Sequence, residues 1–431
     1  MDGGIAIEGG KIVKIAKEAN LPPASMKINL NGHVVIPGPI DAHVHLRDQL
    51  LAHEEDFFTG TAAAVAGGVT TILDMPNNHP VTKDSASLER RMHVAQRSIV
   101  GNVGFYSAFP ESLGEISEIV KGGALAFKVY LNGRVGGIDV DDDAALLGVF
   151  NEVSKLGIPV AVHSEDAKRV KAVAEKEQML GHNDVAAYLR AHTPEAEVEA
   201  VKRVLRIARK SNVQVHFCHV SSEHGVSLIN EARHMGMKVS CEVTPHHLFL
   251  TSDDLRRQGA IMLTNPPFRR REIVQKLWKG VSEGGIDIVA TDHAPHSMRD
   301  KTVDSVWEVK PGIPGLETLL PLLLTEVNDG RLTLDDLVRL TAERTAELFR
   351  LKGHGLLKEG YNADLAVVDM KRRSRIEASR FYSKAKYSPF DGWQVRGVPV
   401  KTFVNGSLAM DGGDVVAKAG AGRVLRGKLS G

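Results

Sequence analysis

Cysteine is scarce in this chain of 431 residues: only Cys218 and Cys241 are present, each inside an apolar run. Two such residues cannot build a disulfide framework, and both are expected to be buried free thiols. An excess of charge is missing as well. Fifty-four basic and 53 acidic side chains leave a formal net charge of +1, which gives no electrostatic reason to expect nucleic acid or a membrane surface as partner. No apolar run approaches the roughly 20 residues that span a bilayer, and Met1 is followed by DGGIAIEGG rather than a basic segment and an apolar stretch. The chain reads as cytoplasmic. Internal repeats, heptads and low-complexity segments are absent, and no strand-like run is followed by a glycine-rich dinucleotide turn.

What is there is a series of eight short apolar runs: VVIPGPIDAHVH, VTTILDM, NVGFYSAF, ALAFKVYL, IPVAVH, VQVHFCHV, KVSCEV and IDIVATDH. Most are followed by a segment with helical spacing, such as TGTAAAVAGG, SLERRMHVAQRSI, DDDAALLGVFNEVSKLG and EAEVEAVKRVLRIARKSN, with Gly or Asn where helix C-caps belong. Apolar strands alternating with helices imply parallel pairing. Eight units close most simply into an α/β fold of the (β/α)8 TIM-barrel type, with an open doubly wound sheet as the alternative.

The ends have another texture. GGIAIEGGKIVKI and KINLNGHVVI before the barrel, and GLLKEGYNADLAVVDM and VKTFVNGSLAMDGGDVV after it, look like hairpin strands with glycine turns. Residues 1–37 and 352–431 are therefore expected to form one small β-sandwich from both termini, flanking a barrel at 38–351. The amino terminus starts abruptly on a strand-like run, as if one strand of the small domain were missing or the start were late.

In such a barrel, function sits at the carboxyl ends of the strands. The first run, PGPIDAHVHLRD, places Asp41, His43 and His45 at alternate positions, so a strand points all three to one face. The fourth run ends near Lys128, the fifth at His163, the sixth at His219 and the eighth at Asp292. A lone strand histidine is more often a satisfied core residue than a ligand. Joint occurrence of these six at strand ends points instead to a site for zinc or a similar ion with a position open for water. Lys128 is the misfit, because an ammonium has no lone pair. It either adds carbon dioxide to become a carbamate bridging two ions, or pairs with a carboxylate or a substrate anion. His216, three residues before His219, is expected on the opposite side of its strand as a structural residue. His246, His247 and Glu165 are expected to orient ligands or to pack.

With that set in view, the sequence resembles the dihydroorotases of the amidohydrolase superfamily. The likeness runs from EGGKIVKI through VIPGPIDAHVHLRD, GGVTTILDMPNN, AFKVYLN, VAVHSED, HFCHVSS, LTNPPFR and ATDHAPH to PGIPGLET, YSPFDG and GYNADLAVVD. ATDHAPH and the H-x-H pair are shared with allantoinases and hydantoinases. The resemblance implies two zinc ions per subunit, held by His43, His45, carboxylated Lys128, His163, His219 and Asp292. It implies that Arg47, Asn77, Asn265 and His296, with Pro311 and Gly312 at the end of a long charged segment, hold the substrate. The activity implied is reversible, zinc-dependent hydrolysis of the cyclic amide of (S)-dihydroorotate to N-carbamoyl-L-aspartate in de novo pyrimidine biosynthesis, with Asp292 as the proton-transferring residue. A homodimer, or association with another enzyme of that pathway, is the partner expectation.

Arg47 separates the relatives. Its planar fork matches a carboxylate, which dihydroorotate carries and allantoin and simple hydantoins lack; the alternative is an arginine paired to Asp48 or Glu54. Many family members continue HLR with Glu-Pro-Gly, whereas here DQLLAHEEDF follows Arg47, so the loop after the first strand is expected to be built differently. Residues 296–312 are expected to lie over the mouth and help close it. Two competing readings stand: an allantoinase or hydantoinase, and a non-catalytic scaffold of the same fold, against which a complete ligand set argues.

Overall fold

The computed structural model describes residues 3–30 and 32–427. At the amino end, β1 (Gly4–Glu8) and β2 (Lys11–Ala16) make an antiparallel hairpin. The run KINLNGHVVI is strand only in its last part, β3 (Val34–Pro37); Asn31 within it lies outside the described residues. The VVIPGPIDAHVH run is two strands rather than one. After β3 the chain turns at Gly38, where a Cβ would lie 2.2 Å from Thr70 Cγ2, and β4 (Ile40–Val44) opens the barrel.

The remaining barrel strands are β5 (Thr71–Asp74), β6 (Asn102–Ser107), β7 (Ala126–Tyr130), β8 (Val160–His163), β9 (Val215–Phe217), β10 (Val239–Val243) and β11 (Ile288–Val289). They pair in chain order and in parallel. A single parallel bridge between Val44 and His293 closes the ring. His45 N donates to His293 O across that seam at 2.8 Å, and the Asp41 carboxylate accepts from Thr291 N at 3.1 and 3.2 Å. Asp41 is therefore a seam residue, and no open edge is left between first and last strand.

Alternation along the strands explains the two cores. Val103, Phe105, Phe127, Val129, Val160, Val162, Val215 and Phe217 pack with helix residues such as Leu88, Ile119, Val149, Val153 and Val201. The residues between them, including Tyr106, Ala126, Ala161, Cys218 and Ile288, join Phe349 in a second cluster. Each fully buried large apolar side chain contributes about 1.5–3 kcal/mol relative to exposure. The helices begin where the sequence offers caps: Asp56 with Thr59 and Asp84 with Ser87 form capping boxes. They stop at left-handed residues such as Gly157 (φ 69°) and Asn212 (φ 55°). Among the described residues no helix is long and apolar enough to cross a membrane.

After the barrel come β12 (Leu365–Arg375), β13 (Gln394–Val404), β14 (Ser407–Asp411) and β15 (Asp414–Val415), in an antiparallel sheet of order β15-β14-β13-β12-β3. An Asn405-Gly406 turn, with φ 50° and 80°, joins β13 to β14. The amino-terminal hairpin packs on this sheet through Ile5, Ile12 and Ile15 against Val35, Leu365, Val367 and Phe403. Both termini thus build the small sandwich.

Candidate active site

The strand ends converge as the alternation requires. His43 Nε2 and His45 Nε2 face the same oxygen of Asp292, Oδ1, at 3.3 and 3.1 Å. Ligand atoms of His43, His219 and Asp292 lie within 4.8 Å of one another. His163 Nδ1 is 2.9 Å from His219 Nε2. Lys128 is fully buried, and its charge acts on His43, His163 and His219. Its Nζ donates to Cys218 Sγ at 2.8 Å and lies 5.0 Å from the Tyr130 ring centroid, and among the described residues it makes no ion pair with a carboxylate. His43, His45, His163, His219 and Asp292 are joined by these contacts, with Lys128 buried against Cys218, although 249 positions separate His43 from Asp292.

The backbone leaves the strands under strain. Arg47 (φ 53°), Asp48 (54°), Gln49 (51°), His219 (35°) and Asp292 (48°) all adopt left-handed conformations without being glycine. Each such residue costs on the order of 1–3 kcal/mol, and such costs concentrate at functional sites.

Whether the cluster suits metal ions is tested by its hydrogen bonds. Asn77 Oδ1 accepts from His45 Nδ1 at 2.6 Å, so the lone pair of a neutral His45 is on Nε2, pointing at the Asp292 carboxylate. Burial holds His45 down to about 3, keeping it neutral. Two acceptors facing each other need a cation between them. His163 Nε2 and His219 Nδ1 are buried without a hydrogen-bond partner, and burial lowers both pKa values, well below the usual range for His219. Neutral imidazoles are the ligating form. For His43, burial and Lys128 oppose protonation, but Glu242 and Asp292 outweigh them and push it up to about 10. Asp292 stays ionised despite burial, chiefly because the His43 charge favours the carboxylate. The donor set fits divalent ions: imidazole lone pairs and an ionised carboxylate facing one another.

Glu242 was not among the sequence candidates, and it organises three of the histidines. Its carboxylate accepts from His43 Nδ1, from His216 Nε2 at 2.9 Å and from His219 N at 3.1 Å. Its signal in the sequence was a lone acid inside the apolar run KVSCEV. His216 therefore does not turn away from the site. It faces the same carboxylate as His43, because His219 leaves the strand at its positive φ and breaks the two-residue alternation between them. Glu165 accepts from His192 Nδ1 at 2.7 Å and lies 3.8 Å from His163 Nε2. His247 donates to Pro266 O at 3.1 Å and packs, while His246 Nε2 is buried without a partner.

A second group gathers at the rim. Arg47 Nη2 is 3.2 Å from His296 Nε2, which is also 3.1 Å from Pro311 O. Arg47 Nε lies 3.4 Å from Glu54 Oε2, so the arginine does have the acidic neighbour considered from the sequence. Gly312 packs too closely for a side chain: a Cβ would meet Ala294 O at 2.3 Å, and its φ is 145°. Asn77 is bonded to His45 rather than to this group, and Asn265 makes no recorded bond to it; Asn265 Oδ1 is buried without a partner. Segment 296–312 is tied down. Lys301, buried, donates to Leu263 O, Lys310 O and Gly312 O at 3.2, 2.9 and 2.9 Å, and Tyr387 OH donates to His296 O at 3.2 Å.

Comparison with known proteins follows the same lines. The sequence profile of the amidohydrolase family matches residues 34–409. A dihydroorotase of Methanothermobacter thermautotrophicus is 39% identical over 423 residues, covering 98% of this chain and 93% of the relative. An L-hydantoinase of Paenarthrobacter aurescens is 35% identical over 428 residues, with 98% and 93% coverage. The solved L-hydantoinase (dihydropyrimidinase) from Arthrobacter aurescens superposes with a TM-score of 0.94 at 34% identity, covering 98% of this chain and 95% of that one.

Proposed function

Because this chain belongs to the amidohydrolase family and is a hydrolase of cyclic amides, we propose that its substrate is dihydroorotate, opened reversibly to N-carbamoyl-L-aspartate. The observation that carries the reading is the meeting of Arg47 Nη2 and His296 Nε2 at 3.2 Å on the rim above the histidine cluster. A guanidinium fork beside an imidazole suits a ring that bears a free carboxylate.

In this reading His43, His45, His163, His219, Asp292 and a carboxylated Lys128 would hold two zinc ions. The ions supply a lowered water pKa and a polarised amide carbonyl. The chain does the rest. Arg47 holds the carboxylate with His296 beside it, and the backbone at Pro311 and Gly312 lines the same edge. Asn77 and Glu242 fix the rings of His45 and His43, so that each Nε2 stays turned to Asp292. Asp292, ionised at neutral pH, takes the proton of the attacking water and delivers it to the departing ring nitrogen, whose bond to the carbonyl carbon breaks. In the synthetic direction the ureido nitrogen closes on the side-chain carboxylate and water leaves.

An L-hydantoinase activity is favoured by one contact, Glu54 beside Arg47, which offsets the arginine's charge, and by the L-hydantoinase relative. Turnover of dihydroorotate, hydantoin and allantoin by the metal-loaded protein separates the two. Dihydroorotate is expected to be the best substrate, and Arg47→Ala is expected to lower its kcat/KM by about 10–100-fold, the loss of one charge-assisted pair, while sparing rings without a carboxylate. Faster turnover of hydantoin than of dihydroorotate would end the proposal.

A further inference from the structure

Glu54 takes no part in the metal set or the proton transfer, yet it is a buried carboxylate facing Arg47, His296 and Lys310, with the exposed His53 Nε2 3.9 Å from its Oε1. Its Oε2 accepts from His296 Nδ1 at 2.9 Å and lies 3.4 Å from Arg47 Nε. Its Oε1 accepts from Lys310 Nζ at 2.9 Å, and that ammonium also lies 3.3 Å from Asp300 Oδ1. Glu54 stands in the segment after β4 where this sequence departs from Glu-Pro-Gly. Its partners come from that same segment and from both ends of the 296–312 segment. Resting on the dihydroorotase reading, we propose that Glu54 is a positioning residue that presets Arg47, directly and through His296, for the substrate's carboxylate.

The chemistry of the two partners supports this. An imidazole that donates from Nδ1 to a carboxylate has its lone pair on Nε2, and here Nε2 accepts from Arg47 Nη2 and braces the guanidinium. A guanidinium approached on its Nε side keeps its Nη side for an incoming anion. Burial, with the nearby Arg47 charge, lowers His296 to about 4, so the ring is neutral and its orientation depends on what accepts its one proton. Glu54 is ionised, held at about 2 against burial by hydrogen bonds from His296 and Lys310. Lys310 draws the end of the 296–312 segment, next to Pro311, onto the same carboxylate. Without Glu54, the His296 ring is free to turn and Arg47 loses its only acidic neighbour within 4 Å among the described residues.

The test is steady-state kinetics on the metal-loaded protein with dihydroorotate, for wild type, Glu54→Ala, Glu54→Gln and Lys310→Met. Metal content and thermal unfolding are measured in parallel. Glu54→Ala is expected to raise KM about tenfold or more while kcat changes less than about threefold and metal content is kept. Glu54→Gln retains an oxygen that can accept from His296, and is expected to recover most of that loss. Lys310→Met, which removes only the tie to the loop, is expected to raise KM by about two- to fourfold. An unchanged KM in Glu54→Ala overturns the inference, as does a fall in kcat with KM intact or a loss of metal. A wild type inert toward dihydroorotate overturns the dihydroorotase reading itself, and is told apart because it appears before any variant is made.

Discussion

The centre and the rim of the site are built in different ways. Groups at the centre issue from strand ends, face one point, and are mainly imidazoles kept neutral by burial. Those at the rim issue from the segments at 47–54 and 296–312 and are held by charge, with Glu54 between Arg47, His296 and Lys310. In the proposed reading the centre supplies chemistry common to cyclic amides, whereas the rim decides which ring is accepted. That division fits a family in which relatives named dihydroorotase and L-hydantoinase share 39% and 35% identity with one chain.

The sharpest way to break this division is Asp292→Asn. Turnover should fall by about 10²–10⁴-fold with every ring substrate, because proton transfer is lost, while KM and bound metal, read by elemental analysis, change little. Substantial retained activity would remove Asp292 from its role. Next in size is Glu242→Gln, which loosens His43, His216 and His219 together. Metal affinity, followed by chelator competition, should weaken about 10–100-fold, with the preference between dihydroorotate and hydantoin unaltered; a changed preference would show that centre and rim are not separable. The smallest effect sharpens the boundary beneath the rim. Glu317 is buried where its carboxylate accepts from Tyr382 N and Ser383 N, and burial pushes its pKa up to about 8. The folded state therefore binds a proton that the unfolded state has released between about pH 4.5 and 8, so this group's contribution to stability falls as pH rises through that window. Glu317→Gln should flatten the decline in Tm between pH 5 and 8 by about 1–2 °C, and a slope equal to that of wild type would count against it.

The centre was largely legible in the sequence because strands impose a period of two. His43 and His45 announce one face, and the ends of the other runs point to the same rim. Periodicity also set the limit. Where His219 leaves its strand at φ 35°, the alternation that would have turned His216 away no longer holds, and Glu242 passed unnoticed as a single acid among apolar neighbours. Asn77 was placed on the substrate by resemblance, but the structure gives its oxygen to His45. The rim was hidden because its bonds join distant segments: Lys310 and Glu54 are 256 positions apart, and nothing local in either segment reports the other. The break at Gly38, which divides one apolar run between two sheets, rests likewise on a contact with Thr70.

Barrel closure through Val44 and His293 bears on the order in which a ribosome can deliver a working molecule. His43 and His45 emerge early, but the seam that sets them against Asp292 exists only after the eighth strand has left the exit tunnel. A nascent chain halted before residue 288 carries four of the histidines with neither Asp292 nor the Val44–His293 bridge, so assembly of the proposed metal set becomes a late step of synthesis.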